Sequence, residues 1–541
     1  IVFSSNVKEI PSNCFSYCTG LVTLTIPEWI IAIRSNAFSY CSGIRGRLTI
    51  PDSVRVIDSS AFSHCTGFTS LKLSQNITLI NDHVFEYCSN LATLTIPDTV
   101  TYIGDNAFSY CSRIVGSITI SDSVKTIDKS AFSHCICATS INFGKNLTEI
   151  SSNAFEYCSG LSSLTIPNWI TTIRSNAFQY CTGIKGTLTI SDSVTRIESS
   201  AFSHCSNFTD LIISKKLTVI NENVFEYCLC LASLTIPDSV TEIRSNAFLY
   251  CSGIKGTLMI PDSVKKIGSY AFSHCSSVTN LNIGHGITEI GSNVFYSCIG
   301  LKSLEIPDWV TSIQTNAFSY CTGIEGTLKI PDTVDFVGEG AFSFCSGFSD
   351  LQIGKKVTKI RSNVFSNCKG LSSLNIPEWV TSIEANAFTR CPGIKGTLII
   401  PDNVYYIGNG AFSFCSGFTD LKIGNNVVEI NPSVFANCTS LKSLSIPESV
   451  VSIDAYAFSY CSGIKGTLVI PDTVQYVGSG AFFYCTGFDG SLVISRNLEV
   501  ISSFTFQYCS KFTGSLIIPD SIISIESYSF SNCGDLSEII I

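Results

Sequence analysis

Cysteine and histidine are the side chains of this 541-residue sequence with the greatest capacity for chemistry, and both recur at fixed intervals. The chain has 26 cysteines, and four of its six histidines (His64, His134, His204 and His274) follow one another at a constant interval. Thiolates and imidazoles act as nucleophiles or bind zinc, and thiols also form disulfides. Which of these roles is available depends on how the fold spaces the repeated residues.

The cysteines define a short repeat. One series, which we call the column cysteines, begins with Cys18, Cys41, Cys65 and Cys88 and has a nearly constant step. Three steps form a 70-residue unit that is present about seven times, and the additional residue of the longer step lies at a glycine-centred insertion. A period of about 20–50 residues is typical of solenoids, in which each coil packs on its neighbours.

Each period also predicts its own local structure. Leu24 and Ile26 alternate with threonine, which predicts a strand. The following Pro-Asp pair, for example at residues 51–52, predicts a turn. Ala37 and Cys41 have the i, i+4 spacing of one helical turn. One coil cannot bury its apolar face alone, so stacking must supply the stability.

The recurring string Leu-x-x-Leu-x-Ile-Pro-x-x-Val-x-x-Ile-x-x-x-Ala-Phe-x-x-Cys resembles the BspA-like (treponemal-type) leucine-rich repeat family, and its Gly-x-x-Gly-x-Leu variant resembles expanded surface members from protists. A clear instance is residues 234–240 followed by Ile243, Ala247, Phe248 and Cys251. Together with the period, the resemblance predicts a leucine-rich repeat solenoid (α/β class, mostly β) of about 23 right-handed coils, each of about 23–24 residues. We expect a parallel β-sheet on one face, short helical turns on the other, and a single continuous solenoid over residues 1–541 without caps. The family implies cell-surface or secreted proteins that bind host matrix, cells or other proteins, and it has no general catalytic motif.

The spacing of stacked coils excludes most candidate metal and disulfide sites. Equivalent residues lie about 4.8 Å apart per coil, so the recurring histidines are about 14 Å apart, whereas zinc ligands lie about 2 Å from one ion. Stacked cysteines point the same way, and their burial habit predicts thiols that fill the core. Cys14 replaces a core alanine, while Cys137 and Cys230 are about 19 Å apart and cannot pair. We therefore expect no metal, no cofactor and no catalytic residues, since an active site needs different residues that converge once.

Two minor alternatives concern the surface of the stack. Asp122 and its equivalents form an acidic turn, but calcium needs six to eight oxygen ligands and residues such as Lys145 interrupt the column. Rows such as Thr23 and Thr25 are of the kind that matches an ice lattice, but Lys72 interrupts them. Turn chemistry and ordinary β-propensity explain both patterns more simply.

Three sets of side chains are candidate surface sites. Tryptophans replace small polar residues at the turn after the strand, which indicates either an interface or packing over a neighbouring proline. Tyrosines that precede column cysteines form, with the histidines, a stripe for partner contact or for packing between coils. Asn-x-Ser/Thr sequons predict N-glycosylation. The tryptophans are Trp29, Trp169, Trp309 and Trp379; the tyrosines assigned to the site are Tyr40, Tyr110, Tyr180 and Tyr250; the sequon asparagines are Asn76, Asn146, Asn207 and Asn437.

Charge and hydropathy restrict the partners. The net charge of −9 and the charged fraction of 14% argue against nucleic acid or an anionic membrane, which both need basic surfaces. No apolar segment reaches the roughly 20 residues that span a bilayer. The sequence begins with Ile1 inside a repeat and ends inside another, which predicts a fragment whose export signal is not visible.

The sequence thus predicts a non-enzymatic, cell-surface or secreted scaffold that binds a protein or glycan, with host or extracellular matrix as a candidate ligand. The alternative is a structural protein that self-assembles into fibres or a coat. Outward strand positions turn apolar late in the chain, which indicates either a contact surface or an approach to a missing C-terminal part. These positions are Ile399, Val469, Val493 and Ile517.

Overall fold

The computed structural model describes residues 2–541 and contains two compact units, one ending at Ser276 and the other beginning at Ser277. Each coil has a two-residue short strand, which precedes a turn segment that ends at the column cysteine. Most coils also have a face strand, which lies in the predicted Leu-x-Ile segment. The described residues contain strands and turns but no helix.

The unit that ends at Ser276 has eight face strands and twelve short strands. The face strands are Gly46–Thr49, Phe68–Lys72, Gly116–Thr119, Ala138–Asn142, Gly186–Thr189, Phe208–Ile212, Ser233–Leu234 and Gly256–Ile260. The short strands are Glu9–Ile10, Ala32–Ile33, Val56–Ile57, Leu79–Ile80, Tyr102–Ile103, Thr126–Ile127, Glu149–Ile150, Thr172–Ile173, Arg196–Ile197, Val219–Ile220, Glu242–Ile243 and Lys266–Ile267.

The unit that begins at Ser277 has nine face strands and eleven short strands. The face strands are Val278–Ile283, Gly326–Lys329, Phe348–Gln352, Gly396–Ile399, Phe418–Lys422, Leu468–Val469, Leu492–Val493, Gly514–Ile517 and Leu536–Ile540. The short strands are Glu289–Ile290, Ser312–Ile313, Phe336–Val337, Lys359–Ile360, Ser382–Ile383, Tyr406–Ile407, Glu429–Ile430, Ser452–Ile453, Tyr476–Val477, Val500–Ile501 and Ser524–Ile525.

Within each unit, neighbouring coils pair in parallel and in register. Ile10 pairs with Ile33, and Ile33 pairs with Ile57 one coil later. Each side chain therefore stacks on its equivalent, which keeps the apolar set on the inner face. The longer coils take up their additional residue in a β-bulge at a glycine: the register shifts between Gly46 and Arg47, where Gly46 has a φ of 73° that glycine adopts without steric cost.

The helical turn predicted before the column cysteine is wrong, because this turn segment is not helical. From Asn36 to Cys41 the backbone amides alternate between two partners. Ala37, Ser39 and Cys41 donate to the carbonyl three residues earlier, whereas the amides between them donate to the next coil, for example Phe38 to Ala61 at 2.8 Å. An α-helix would need every amide to donate four residues back along the same segment. Because half the amides join neighbouring coils, the i, i+4 pattern marks two consecutive turns and not a helix.

Turn segments and strands together enclose the core. Ala37, Phe38 and Cys41 are fully buried. The phenylalanines equivalent to Phe38 stack along each unit, with centroids 5.3 Å apart for Phe38 and Phe62. The predicted parallel, mostly β solenoid with its short repeating coil is thus confirmed, and only its helical turns are wrong.

Candidate functional site

Twelve aromatic rings form one stack on the turn face of the unit that ends at Ser276, and we name this stack the aromatic column. Each ring belongs to the residue before a column cysteine, and neighbouring centroids are 4.1–4.6 Å apart. The rings are Tyr17, Tyr40, His64, Tyr87, Tyr110, His134, Tyr157, Tyr180, His204, Tyr227, Tyr250 and His274.

The backbone beneath these rings is left-handed. Tyr40 has a φ of 60° and His64 one of 59°, a conformation that costs an L-residue about 1–2 kcal/mol. The other left-handed position of the same turn, four residues earlier, mostly holds asparagine or serine, such as Asn36 and Ser60. Ring stacking contributes about 0.5–1.5 kcal/mol per pair, so two neighbours offset the backbone cost at the ring position.

The histidines are fixed by serine neighbours within the column. Nδ1 of His64 lies 2.8 Å from Oγ of Ser63, and the same contact recurs at His134 and His204. Partial burial lowers the pKa of His64, and the nearby carboxylate of Glu86 opposes this shift. The ring therefore stays neutral near pH 7.

Stacking also decides what the column can contact. The faces of the interior rings lie against neighbouring rings, so a sugar or a cation cannot stack on them. The ring edges and phenol groups remain accessible: Tyr40 is 37% exposed, and Tyr110, Tyr180 and Tyr250 are half-buried. The structure thus places the four predicted tyrosines in one column, where they present edges and hydroxyl groups.

The tryptophans pack against the preceding coil. Each indole N–H donates to a backbone carbonyl there: Trp29 to Ser4 (3.2 Å), Trp169 to Gly144 (2.9 Å), Trp309 to Gly284 (3.1 Å) and Trp379 to Gly354 (3.0 Å). Trp29 is exposed, and the other three are half-buried. The ring of His285 also stacks on Trp309 with centroids 4.0 Å apart. The tryptophans therefore have one packed side, and their role in binding stays a prediction.

An open groove of about 790 Å³ lies beside Trp309 on the strand face. In every third coil the face strand is shortened or lost, which interrupts the sheet. In the first unit Thr165 forms only an isolated bridge, to Thr189, and in the second unit Glu305 forms only an isolated bridge, to Lys329. The groove lies over the coil of Glu305 and is lined by polar side chains from four successive coils, that of Glu305 included. Those side chains are Asn282, Glu305, Asp308, Thr327, Lys329 and Gln352.

The sequence singled out Trp309 but not the groove, because the polar side chains that line it come from separate coils and none of them is unusual alone. One signal in the sequence could have revealed it. Four equivalent outward strand positions in successive coils, next to a tryptophan, hold large polar residues: Asn282, Glu305, Lys329 and Gln352. In the first unit the same positions are mostly threonine.

The outward strand positions differ between the two units. In the first unit most are threonine or serine, and Ile212 is an exposed exception. In the second unit Val469, Val493 and Ile517 are 51%, 46% and 61% exposed, and Val469 pairs directly with Val493. The apolar outward positions predicted from the sequence, including Ile399, are thus solvent-exposed.

All 26 cysteines are free thiols. The column cysteines from Cys41 to Cys509 are buried, and their S–H groups donate to phenylalanine carbonyls one coil earlier, as Cys41 does to Phe15 at 3.0 Å. Burial raises the pKa of Cys41 to about 11 and that of Cys205 to about 12, so these thiols stay protonated. The prediction that Cys14 is core is wrong: within the described residues its coil has a neighbouring coil on one side only, and Cys14 is exposed, as are Cys18, Cys137 and Cys230.

The acidic turn is occupied by contacts within the protein. Oδ1 of Asp122 accepts the backbone N–H of Lys145 at 2.9 Å, and the Lys145 ammonium lies 3.5 Å from Oδ2. The amide and ammonium groups of Lys145 lower the pKa of Asp122. Across residues 2–541, no group of three His, Cys, Asp or Glu side chains is placed to hold a metal ion.

Three of the four sequon asparagines are exposed, but their side chains form hydrogen bonds within the protein. The side-chain amides of Asn76, Asn146 and Asn207 donate to backbone carbonyls of the preceding coil at 2.6–2.7 Å. Asn437 is half-buried at a left-handed position with a φ of 61°. A glycan on any of the first three would replace one hydrogen of that amide and leave one N–H to donate, and their glycosylation stays a prediction.

The sequence matches the family described as "BspA type Leucine rich repeat region" in six copies, over residues 1–115, 114–228, 256–372, 335–465, 394–513 and 465–541. None of the curated proteins matches the sequence. Among the described residues, no helix is long and apolar enough to cross a bilayer.

Two solved structures illustrate the similarity. A leucine-rich repeat protein from Bacteroides ovatus ATCC 8483 is 21% identical, with a TM-score of 0.52 over 74% of this chain and 93% of that chain. A leucine rich cell surface protein from Faecalibacterium prausnitzii A2-165 is 30% identical, with a TM-score of 0.41 over 57% of this chain and 87% of that chain. The first of these similarities supports the same fold.

Proposed function

This chain belongs to the family of BspA-type leucine-rich repeat proteins, and on that premise we propose that it is a non-enzymatic scaffold, on the cell surface or outside the cell, that binds a protein or glycan through its strand face. The family consists of repeat proteins that are typically not catalysts. Repetition favours a binding surface over an active site, because equivalent side chains are spread along the coils. The net charge of −9 disfavours nucleic acid as the ligand.

The groove at Trp309 is the observation that carries this proposal. It brings an indole ring, the Glu305 carboxylate, the Thr327 hydroxyl and the Lys329 ammonium to one open cleft. Ligand sites typically combine apolar surface with a few convergent polar groups. The aromatic column lacks this combination, since its ring faces are covered. We therefore rank the groove at Trp309 above the predicted tyrosine sites.

The test replaces Trp309 by serine, which is found at the equivalent turn position of other coils. Ser239 and Ser521 occupy this position in other coils, so Trp309→Ser should keep the fold. Labelled wild-type protein is applied to immobilised extracellular-matrix proteins and to a glycan array, and the strongest ligand is titrated. We expect W309S to weaken its binding about 30-fold, the effect of losing a hot-spot residue.

The matched control is Lys369→Ala, which changes an exposed residue outside the groove and should leave the affinity unchanged. Equal affinities of W309S and the wild type for every ligand bound by the array would contradict the proposed site. If K369A also lost binding, the ligand would contact a surface outside the groove at Trp309.

Self-assembly is the second candidate function, and the apolar column of Val469, Val493 and Ile517 favours it. Three exposed aliphatic side chains in neighbouring coils form a patch that a second copy of this chain would cover. The double variant Val493→Thr, Ile517→Thr replaces both side chains by threonine, which another coil has at the equivalent position, Thr189. Light scattering should show concentration-dependent association that the variant loses. A wild-type monomer at all concentrations would exclude assembly.

A further inference from the structure

We propose that the aromatic column is a site of oxidative cross-linking, at which four stacked tyrosine pairs become dityrosine bridges between neighbouring coils. One pair lies in each three-coil unit of the first half, and a histidine separates each pair from the next. The pairs are Tyr17–Tyr40, Tyr87–Tyr110, Tyr157–Tyr180 and Tyr227–Tyr250. This modification is independent of ligand binding on the strand face.

The geometry of the pairs suits coupling between ring carbons. The rings of Tyr87 and Tyr110 have centroids 4.3 Å apart and planes 6° from parallel. Because the two residues have equivalent backbones, with φ of 57° and 59°, like atoms of the rings face each other. The ortho carbon of one ring therefore lies opposite that of the next, while the accessible ring edges admit an oxidant.

The reaction requires hydrogen peroxide, activated by a haem peroxidase. Each tyrosine loses one electron and its phenolic proton, which leaves a phenoxyl radical. The two radicals form a carbon–carbon bond between ortho carbons, and the hydrogens on those carbons move to the phenol oxygens as the rings regain aromaticity. Two tyrosines and one hydrogen peroxide thus give one dityrosine and two water molecules.

Proximity makes coupling within the chain faster than coupling between chains. Preorganised intramolecular partners have effective concentrations of about 10⁵ M or more, far above any protein concentration in solution. Tyr87 and Tyr110 occupy equivalent positions of successive coils, so a bridge would join those two coils. Peroxide would then strengthen the stack covalently without using a cysteine.

The second unit supplies a matched control. Tyr320 and Phe344 stack with the same centroid distance of 4.3 Å and the same 6° angle as Tyr87 and Tyr110, but phenylalanine has no phenol to oxidise. Phe344→Tyr should therefore create a new bridge, and Tyr110→Phe should abolish an existing one. Both substitutions keep a ring in the stack and should preserve the fold.

The experiment treats the purified full chain with hydrogen peroxide and a haem peroxidase, then maps cross-linked peptides by mass spectrometry and totals them by dityrosine fluorescence. Bridges should map to the four pairs, whose rings are closer and more nearly parallel than those of Tyr460 and Tyr484 at 5.2 Å and 28°. The product should migrate as a monomer on a denaturing gel. Y110F should lose about a quarter of the fluorescence, because four distant pairs act independently. F344Y should gain a bridge to Tyr320.

Two results would overturn the proposal. One is the absence of a Tyr87–Tyr110 bridge in the oxidised wild type. The other is an equal yield of cross-links at Tyr405 and Tyr476, which are more exposed than Tyr87 and Tyr110 but have no stacked ring within the described residues. Such a yield would mean that exposure, and not stacking, selects the reacting tyrosines.

Discussion

The residue before the column cysteine is always aromatic in the unit that ends at Ser276 and is mixed in the unit that begins at Ser277. In the second unit this position holds Ser297, Tyr320, Phe344, Asn367, Arg390, Phe414, Asn437, Tyr460, Tyr484, Tyr508 and Asn532. The backbone there is left-handed in both units, with a φ of 59° at both Tyr110 and Asn367. The fold therefore requires only a residue that tolerates this backbone, and the continuous ring stack is a surface feature added to one half.

The interior does not differ in this way. Phe178 and Phe388 are fully buried in the first and second unit, and each stacks on equivalent rings at 5.4 Å. Four predictions test whether the difference between the units is confined to the surface.

The largest effect is expected in the shared core. Phe178→Ala and Phe388→Ala should each lower the free energy of unfolding by about 3–5 kcal/mol, because both leave a large cavity in a tightly packed stack. Urea denaturation followed by circular dichroism measures the loss. Markedly unequal losses would show that the two cores differ as well.

Thiol labelling should distinguish the two units by reactivity. The four exposed cysteines, Cys14, Cys18, Cys137 and Cys230, all belong to the first unit, and only the half-buried Cys533 is accessible in the second. We expect the buried thiols to react with the alkylating reagent more slowly than the exposed ones, by a factor of about 100 or more, because local opening must expose them first. Mass spectrometry after brief alkylation checks this, and rapid labelling of Cys321 would contradict it.

The third test removes one ring from each column. Tyr110 stacks on two neighbours, so Tyr110→Ala should cost about 1–3 kcal/mol. Tyr320 has a parallel partner only in Phe344, and its other ring neighbour, Tyr296, is tilted by 56°. Tyr320→Ala should therefore cost about half as much. Equal losses in denaturation would mean that stacking does not stabilise the column.

The smallest effect concerns acid. Burial lowers the pKa of His64, His134 and His204 in the folded state below the unfolded value of about 6.5. The folded state then binds protons less readily, so its stability falls as the pH drops through about 6.5 to the lower folded pKa. Melting curves at pH 7.5 and 5 should show this loss. Replacing these histidines by phenylalanine, the residue at positions 344 and 414, should reduce it. Identical pH dependence in the variant would exclude the histidines as its source.

Much of this architecture could be predicted from the sequence, because the period determines coil length and the Leu-x-Ile alternation marks the segment of the face strands. The strand predicted at Leu24 and Ile26 themselves is wrong, since their coil has only its short strand, Ala32–Ile33. The turn segment could not be predicted, since the i, i+4 spacing of Ala37 and Cys41 suits a helical turn and two linked turns equally well. Asparagine at positions such as 36 and 106 points to a left-handed backbone, as histidine also does, but tyrosine rarely adopts it. The sequence predicts the stripe of tyrosines and histidines, but the face-to-face orientation of its rings depends on this backbone. The groove at Trp309 depends on how side chains of four coils converge, which the spacing alone does not give.

The bond from each buried thiol to a phenylalanine carbonyl has a consequence for synthesis of the chain. Cys41 and Cys321 donate to carbonyls of the preceding coil at 3.0 and 3.1 Å, so each sulfur has its partner as soon as its own coil forms. A nascent polypeptide with 26 cysteines would otherwise have to select among a very large number of disulfide pairings. Coils with such contacts can dock one on another in the order of translation, and burial keeps these thiols protonated, which slows disulfide formation.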